Sequence, residues 1–377
     1  MATLISKMAA GAPAVIARSE GWAAQRRAVH LLKADIAAPP DFLRGLKQRR
    51  EELSSEYMPI IARLATTFLG ADVTVTALPA LGTFHSLFRL QDEHNRGYIM
   101  RTALLDTPDG TPDFIIDYWV AGLGAKWSVP VSAPLWVDVS QSNAPFPFEV
   151  FHESTALTVK QLENSTTQAL PDGVAHEMGR TLASIHEVVA TGAGPLDVAA
   201  LTDDVTQPPR GVHDKWQQFV LLNLDEHLVN CQAASSISAD EVATITSLFK
   251  TLETFLQNGD TCLLHGDYSG SNLFTNGTSI SAVFDWEDAL AGDPVYDIAA
   301  WATFYREPIH REFLDGYRSL RDLHANFEVK FWLYYLRVSL AKTAHRYRFG
   351  MGDVPGRQPA SRRIQQALDH LCSRTIS

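Results

Sequence analysis

The chain has few cysteines, no long apolar run and no excess of positive charge, and each absence excludes a class of protein. Its three cysteines in 377 residues are odd in number and widely spaced, so they form neither a disulfide framework nor a metal site. No apolar run approaches the roughly 20 residues that a membrane-spanning helix needs. Acidic residues outnumber basic ones by 43 to 32, which argues against non-specific nucleic-acid binding and suits a cationic substrate. We therefore expect a cytoplasmic protein that binds neither membranes nor nucleic acid.

The composition that remains is that of a globular protein with two or three lobes and a sizeable core. Hydrophobic residues make up 46% of the chain and charged residues 20%. Residues 1–17 are mildly apolar, but Gly11 and Pro13 interrupt them, so we expect a frayed start rather than a secretory signal. Helical patterns over residues 18–70 predict an N-terminal helical extension with a packing or dimerisation role, in a monomer or a homodimer.

Hydrophobic periodicity divides the rest of the chain into two parts. Short strands are predicted at residues 73–76, 87–90, 98–100, 135–139 and 146–151. A helix is predicted at 112–125, and helical patterns dominate after about residue 153. This order predicts an α+β fold, with a small antiparallel β lobe followed by a larger, mostly helical lobe.

The most informative segment begins at His265. It reads His265-Gly266-Asp267, with Asn272 following after four intervening residues and Asp285 thirteen residues later. A single Asp or Asn in a loop is more often a turn former than a ligand. Here residue type, order and spacing all agree with the catalytic carboxylate and two magnesium ligands of a kinase.

The local context of these residues supports the same chemistry. Apolar strands are predicted at 261–264 and 279–286, and the Asn-Gly pair at 276–277 predicts a two-residue hairpin turn. Such a hairpin would place Asp285 beside Asn272, so that two oxygen ligands converge on one hard cation. Magnesium prefers one or two protein ligands of this kind, with phosphate oxygens and water completing its shell.

Each residue of the motif has a chemical role in this interpretation. Asp267 would accept the proton of the attacking hydroxyl or orient that hydroxyl, because loose phosphoryl transfer needs only a weak base. Asn272 and Asp285 would hold magnesium. His265 would act directly in catalysis or shape the loop from the core, and Gly266 would allow a tight turn.

These motifs resemble those of the aminoglycoside phosphotransferase family, which shares a bilobal fold with eukaryotic protein kinases. The resemblance rests on residues 265–272, 285–289 and 292–297. It is strongest toward the hygromycin B 4-O-phosphotransferase branch of that family, at residues 96–101, 130–134, 216–219 and 335–338.

The resemblance implies a nucleotide-positioning loop at residues 78–86. This loop contains one glycine, Gly82, so it differs from the glycine-rich loop of protein kinases. Thr83 and Ser86 would donate hydrogen bonds to phosphate oxygens, alongside backbone amides. An ordinary hairpin tip is the alternative interpretation.

Further nucleotide contacts follow from the resemblance. Arg101 occupies the place where the family uses lysine or arginine to clamp the α- and β-phosphates. Its expected partner is an acid on the next helix, Asp113 or Asp117, and we favour Asp117. The adenine is expected beside Glu149 and Phe151, although a plain strand explains the same residues.

The sequence specifies the residues that contact the acceptor less clearly than those that contact the nucleotide. Family members often bind polyamines, which implies that Glu287 and Asp288 contact ammonium groups of the substrate, unless they cap a helix from Ala289 onward. Arg337 and the basic residues within 345–348 would disfavour a polycation if they faced the cleft, and otherwise belong to a solvated face.

Three further features complete the sequence-based picture. Asp293 is predicted to cap a helix, and Asp297 to stiffen the catalytic loop. Residues 190–211 are predicted to form a substrate lid or an exposed loop.

The sequence therefore predicts a protein-kinase-like bilobal fold in three parts, at residues 1–70, 71–148 and 149–377. It predicts an O-phosphotransferase that uses ATP or GTP with Mg²⁺ and confers resistance. The acceptor would be a hydroxyl of a small-molecule antibiotic, either an aminoglycoside or aminocyclitol such as hygromycin B, or a nucleoside antibiotic. A kinase for choline, homoserine or a sugar, and a non-catalytic ATP-binding module, are the alternatives.

Overall fold

The structure is a computed structural model that describes residues 42–70, 72–79, 85–103, 111–127, 129–165, 170–201, 206–257, 259–324, 326–353 and 358–375. A helix predicted within residues 18–41 and the loop residues Gly82 and Thr83 lie outside these ranges. No helix among the described residues is long and apolar enough to cross a membrane.

Five antiparallel strands form the smaller lobe. They are β1 (Val73–Ala77), β2 (His85–Asp92), β3 (Gly97–Ala103), β4 (Trp136–Asp138) and β5 (Phe148–His152), in the spatial order β1-β2-β3-β5-β4. Every predicted strand of this lobe is present. Strand β5 pairs with β3 from residue 148 to residue 152, so the sheet spans the predicted lobe border at 148/149.

Helix α1 (Phe42–Leu69) covers this sheet and confirms that the extension is helical from residue 42. Leu53, Tyr57 and Ile61 recur every four residues and are fully buried, as expected for one face of a helix. The Tyr57 ring lies 4.0 Å from that of Phe146, between centroids. This contact supports the packing role predicted for the extension.

Helix α2 (Thr111–Trp127) follows β3 and matches the predicted helix at 112–125. It is apolar on most sides because it lies between the two lobes, with Phe114, Ile116 and Trp119 buried. It carries Asp117 toward the start of the short helix Trp286–Asp288 of the larger lobe, whose first backbone N–H donates to that carboxylate at 3.1 Å.

Nine α-helices are described in the larger lobe: α3 (Val159–Ser165), α4 (Val174–Ile185), α5 (Trp216–Val220), α6 (Leu224–Ala233), α7 (Ala239–Thr251), α8 (Pro294–Ala302), α9 (Ile309–Arg318), α10 (Phe327–Arg348) and α11 (Ala360–Thr375). Its described strands are β6 (Leu157–Thr158), β7 (Ala193–Leu196), β8 (Gly211–His213), β9 (Cys262–Leu264), β10 (Leu273–Thr275), β11 (Ile280–Val283) and β12 (Leu290–Gly292).

Two small sheets organise this lobe, in the orders β11-β10-β6 and β8-β7-β12-β9. Strand β7 and the first residue of β8 lie within the stretch 190–211 that was predicted as a lid or an exposed loop. That prediction is wrong for β7, because its four residues are buried, Gly194 and Pro195 pair with β12, and Ala193 and Leu196 pair with β8. Residues 202–205 lie outside the description.

The β10–β11 hairpin is present, but its turn is longer than predicted. Thr275 pairs with Ile280, so four residues form the turn rather than two. The Asn276 side chain accepts hydrogen bonds from the backbone N–H groups of Thr278 and Ser279, at 3.0 and 2.9 Å. This side-chain cap stabilises the longer turn, since Asn readily mimics a backbone turn.

Helix α8 begins as predicted at Asp293, whose carboxylate accepts the Val295 N–H at 3.0 Å. The same carboxylate accepts hydrogen bonds from Lys330 at 2.6 Å and Tyr334 at 3.0 Å. Since both donors lie on α10, Asp293 also fixes α8 against α10.

Three arginines of α10 are engaged by groups of the larger lobe itself. Arg337 is fully buried and donates to the backbone carbonyls of Val220 and Leu222, at the end of α5. Arg346 donates to the Gly352 carbonyl, and Arg348 pairs with Glu226. These contacts remove the three arginines from the sequence-based argument against a polycationic acceptor.

Candidate active site

The catalytic loop starts directly after β9 with an unusual backbone conformation. Gly266 has a φ of 82°, and a Cβ atom there would lie 1.9 Å from the carbonyl oxygen of Asp288. Only glycine fits both restraints. Asp297 of α8 accepts the backbone N–H groups of His265 and Gly266, at 2.7 and 3.0 Å. The predicted stiffening role of Asp297 is therefore confirmed by geometry.

His265 acts on the loop from the core. Its ring is fully buried and packs on Trp286, with 4.6 Å between the ring centroids. Its Nε2 lies 3.1 Å from the carbonyl oxygen of Phe284, and its Nδ1 lies 3.3 Å from the backbone nitrogen of Asp267. Of the two roles that the sequence allowed, this position favours loop shaping over direct catalysis.

Asp267 and Asn272 are joined within the loop. The Asn272 amide nitrogen donates to the backbone oxygen of Asp267 at 3.0 Å and to its carboxylate at 3.2 Å. This orientation makes the other end of the Asn272 amide, its oxygen, the end that can bind a cation. Asp267 itself is half-buried, so its carboxylate can meet a hydroxyl from solvent.

Asp285 lies beside Asn272, as the hairpin predicted. The backbone N–H of Phe284 donates to the Asn272 carbonyl at 3.1 Å, and Leu273 pairs with Val283. Asp285 has a φ of 66°, in the left-handed region that side chains other than glycine seldom adopt. Such strain is often found at functional sites, where the surrounding structure holds the residue in place.

Arg101 of β3 lies at the centre of a buried group of carboxylates. Its Nη1 donates to Asp117 at 2.8 Å, which confirms that pairing, and to Glu149 at 3.1 Å. Its Nη2 donates to Glu287 and lies 3.1 Å from the carboxylate of Asp285. Burial alone would lower the pKa of Arg101, but these carboxylates hold it well above its ordinary value.

Two carboxyl groups of this cluster, those of Glu149 on β5 and Asp117 on α2, are buried. Burial raises the pKa of Glu149 well above its ordinary range, and the neighbouring Asp117 raises it further. Burial also raises the pKa of Asp117, against the opposing effect of Arg101. Burial therefore holds the pKa values of both carboxyl groups above their ordinary range.

The buried position of Glu149 corrects its predicted role. The side chain is 0% exposed and directed toward Arg101, so it is not available to an adenine beside the strand. Phe151 lies two residues further along β5 and is half-buried, a position that leaves its predicted adenine contact open.

Three other side chains that were predicted to contact a ligand are buried in the structure. Ser86 lies inside β2 with 1% exposure, so its hydroxyl is not presented to phosphates. Glu287 faces Arg101, and Asp288 is 2% exposed beneath Gly266, so neither presents a carboxylate to a substrate. The helix predicted from Ala289 is instead strand β12.

Sequence reasoning missed His85 of β2. Its Nδ1 lies 3.1 Å from Nη2 of Arg101 and 3.4 Å from the carboxylate of Glu287. In the sequence, His85 lies within the stretch 78–86 that was predicted to position the nucleotide. No residue pattern in that stretch singled out the histidine.

The donors present fit magnesium. No group of three or more His, Cys, Asp or Glu that could hold a metal occurs in the described part of the chain. Asn272 and Asp285 instead supply two hard oxygen donors, just before β10 and just after β11, and magnesium completes such a shell with phosphate oxygens and water. The site is therefore suited to a metal that arrives with its nucleotide.

Comparison with known proteins agrees with this geometry. The model of the phosphotransferase enzyme family matches residues 77–328. Hygromycin-B 4-O-kinase of Escherichia coli is 24% identical over 213 residues, which are 55% of this chain and 56% of the relative. The chain thus matches only about half the length of this curated relative.

Solved structures share the fold over most of the chain. A thermostable mutant of aminoglycoside phosphotransferase APH(4)-Ia, in a ternary complex with AMP-PNP and hygromycin B, aligns over 83% of this chain and 97% of its own, with a TM-score of 0.57 and 16% identity. A putative fructosamine-3-kinase from Thermobifida fusca aligns over 84% and 99%, with a TM-score of 0.55 and 17% identity.

A third structure, spectinomycin phosphotransferase APH(9)-Ia with ADP and spectinomycin, aligns over 84% of this chain and 97% of its own, with a TM-score of 0.56 and 12% identity. These likenesses confirm the predicted bilobal fold of a sheet lobe and a helical lobe. Together with the family match over two thirds of the residues, they give one conclusion: the chain belongs to the phosphotransferase enzyme family.

Proposed function

We propose that the protein transfers the γ-phosphoryl group of ATP, with Mg²⁺, to a hydroxyl group of an antibiotic of the aminoglycoside or aminocyclitol type. The observation that carries this proposal is the position of Asn272. It donates two hydrogen bonds to Asp267 and lies beside Asp285 across the hairpin. A carboxylate and two cation ligands are thereby assembled within one short segment, as phosphoryl transfer requires.

Each residue of the loop and the hairpin has its own role in the proposed reaction. Asp267 orients the acceptor hydroxyl and takes its proton as the oxygen attacks the γ-phosphorus and the bond to the β-phosphate oxygen breaks. Asn272 and Asp285 would hold the metal, which would neutralise charge on the phosphate oxygens when bound. Asp297 and the ring of His265 accept hydrogen bonds from the loop backbone and keep the loop fixed, so little reorganisation is needed during transfer.

Arg101 contributes the cation of the nucleotide site. It lies within 3.1 Å of Asp285 and is held in place by carboxylates from α2 and β5. The guanidinium cannot deprotonate and has a planar fork, which suits contact with phosphate oxygens once the metal is bound at Asp285. The phosphates of GTP would make the same contacts with Arg101. The preference for adenine or guanine therefore depends on residues outside this cluster.

The acceptor class is supported by the relatives rather than by the loop. The Escherichia coli relative is named for hygromycin B, and two of the similar structures contain hygromycin B or spectinomycin. Phosphorylation would inactivate such a drug and confer resistance. A kinase for a sugar-like metabolite is the second candidate, which the similarity to a putative fructosamine-3-kinase favours.

An assay of the purified protein with ATP and Mg²⁺ tests the proposal. The acceptor panel would contain hygromycin B, other aminoglycosides, spectinomycin, nucleoside antibiotics, choline and simple sugars. Mass spectrometry would detect one added phosphoryl group on each product. Turnover on an antibiotic supports the proposal, and turnover only on choline or a sugar replaces it with the second candidate. Tight ATP binding without transfer to any acceptor contradicts both.

A further inference from the structure

His85 lies on the same face of the five-stranded sheet as Arg101. It pairs with Ala103 across β2 and β3, and the next pair on that face joins Leu87 to Arg101. Diagonal neighbours of this kind are within reach of each other's side chains. The His85 ring is buried and lies 5.6 Å from that of Phe114 on α2, between centroids. The sheet and α2 therefore hold the ring beside Arg101.

The hydrogen bonds of Arg101 divide between its two terminal nitrogens, each of which carries two hydrogens. Nη1 donates to Asp117 at 2.8 Å and to Glu149 at 3.1 Å. Nη2 donates to Glu287 and lies 3.1 Å from Nδ1 of His85. Because a guanidinium has only donors, Nδ1 of His85 is the acceptor of this last hydrogen bond. Every terminal N–H of Arg101 therefore has an acceptor.

Asp285 is an ion-pair neighbour of Arg101 rather than a further acceptor. Its carboxylate lies 3.1 Å from Nη2, but Glu287 and His85 already take the hydrogens of that nitrogen. The Asp285 side chain is 36% exposed, compared with 12% for Glu287. Arg101 thus attracts the carboxylate of Asp285 without engaging its oxygens, which stay open to a cation from the cleft.

We propose that His85 is a positioning residue that leaves Asp285 available to the metal. This inference rests on the proposed phosphotransferase function and adds a residue to its metal site. Without His85, one buried N–H of Arg101 would lack an acceptor, and the carboxylate of Asp285 lies only 3.1 Å away. Arg101 would then hold Asp285 by a charge-assisted hydrogen bond, which a metal would have to break.

A histidine suits this position because of its charge. Four carboxylates already surround the single guanidinium of Arg101, and all of them raise its pKa. An imidazole that accepts through Nδ1 satisfies the remaining N–H without adding another negative charge. Within the described ranges, the Nε–H of Arg101 has no acceptor, so it remains as a donor for a phosphate oxygen of the nucleotide.

Metal binding in the absence of an acceptor substrate tests this role. Mn²⁺, a paramagnetic substitute for Mg²⁺, would be titrated into the protein with saturating ADP and followed by electron paramagnetic resonance. We expect His85→Ala to raise the Kd of Mn²⁺ at least about tenfold, the ratio that one hydrogen bond to a charged group is worth. The Kd of ADP without metal should stay within about twofold, because no donor to the phosphates is removed. His94→Ala is the matched control, since His94 lies at the tip of the same β2–β3 hairpin and pairs only with the neighbouring Glu93, at 3.8 Å.

Two further substitutions separate this role from packing. The amide of Asn places an acceptor where Nδ1 of histidine lies, whereas the longer Gln reaches the place of Nε2. His85→Asn should therefore keep the Kd of Mn²⁺ within about threefold of wild type, and His85→Gln should raise it as His85→Ala does. This pair also decides the matter if His85→Ala does not fold. In an Arg101→Lys background, which lacks the second terminal nitrogen, His85→Ala should change the Kd of Mn²⁺ by less than about twofold.

The results that overturn the role of His85 differ from those that overturn the proposed function. An unchanged Kd of Mn²⁺ in His85→Ala and His85→Gln, or equal losses in His85→Asn and His85→Gln, overturns the positioning role. A wild type that binds ADP with Mn²⁺ but phosphorylates no acceptor of the panel overturns the proposed function. The binding measurements need no acceptor, so the two failures are distinguishable.

Discussion

Asp297 accepts the backbone N–H of His265 at 2.7 Å and so joins the first turn of α8 to the catalytic loop. The same carboxylate accepts the Gly266 N–H, and His186 lies 3.4 Å from it on the other side. All of these groups are buried or half-buried. The geometry of the loop therefore depends on one carboxylate that does not touch a substrate.

Replacement of Asp297 should be costly to both stability and turnover. Asp297→Ala leaves two backbone N–H groups without their acceptor, at about 1–3 kcal/mol each, so the free energy of unfolding should fall by about 2–6 kcal/mol. Asp297→Asn keeps one acceptor oxygen and should lose less. Urea denaturation and turnover measurements check this order. Wild-type stability and turnover in Asp297→Ala would contradict the role given to the carboxylate.

Arg101 should matter for nucleotide binding and for folding together. Arg101→Ala removes the cation from a buried group of carboxylates, so we expect a large rise in the ATP KM and a lower melting temperature. Arg101→Lys keeps the charge but loses the fork that reaches several carboxylates, and should give an intermediate result. Calorimetric titration with an ATP analogue and thermal denaturation measure both effects. An unchanged ATP KM in Arg101→Ala would exclude its proposed contact with phosphates.

Glu149 should make stability depend on pH. Because burial raises its pKa, the folded protein keeps a proton that the unfolded chain releases above about pH 4.3. Its contribution to stability is complete below that pH and is lost as the pH rises toward the folded pKa. Glu149→Gln removes this titration, so its unfolding free energy relative to wild type should improve between about pH 5.5 and pH 8. Urea denaturation at both pH values tests this, with Glu52→Gln as a control, and a pH-independent difference contradicts it.

Gly266 and Gly277 form a matched pair of substitution sites. Both have positive φ, but a Cβ atom at Gly277 would meet nothing within 4 Å, whereas at Gly266 it would meet the Asp288 carbonyl. Gly277→Ala should therefore cost only the strain of the left-handed conformation, about 1–2 kcal/mol, and keep turnover. Gly266→Ala should also displace the loop and reduce turnover by at least about tenfold. Equal effects of both variants on turnover would show that the close approach at Gly266 is unimportant.

The parts of the site that the sequence predicted correctly are local. Asp267, Asn272 and Asp285 lie within one loop and one hairpin, so their spacing along the chain already defines their proximity in space. The capping role of Asp293 could also be predicted, because the start of a helix depends on the few residues around it in the sequence.

The parts that were predicted wrongly depend on tertiary packing. Glu149 and Glu287 are separated by more than a hundred residues, yet both accept hydrogen bonds from Arg101 in a buried cluster. A glutamate is expected at the surface unless it is paired, and the pairing is invisible in one sequence. The longer turn at Asn276 has a local cause instead, since a side-chain cap outweighed the backbone preference of an Asn-Gly pair.

The most direct test of the account is single-turnover transfer by Asp267→Asn on the best acceptor found for the wild type. Asparagine keeps the size of the side chain and removes its basicity. We predict that transfer slows at least about a hundredfold while the affinity for Mg²⁺-ATP changes by less than about threefold. Transfer at the wild-type rate by Asp267→Asn would contradict the mechanism.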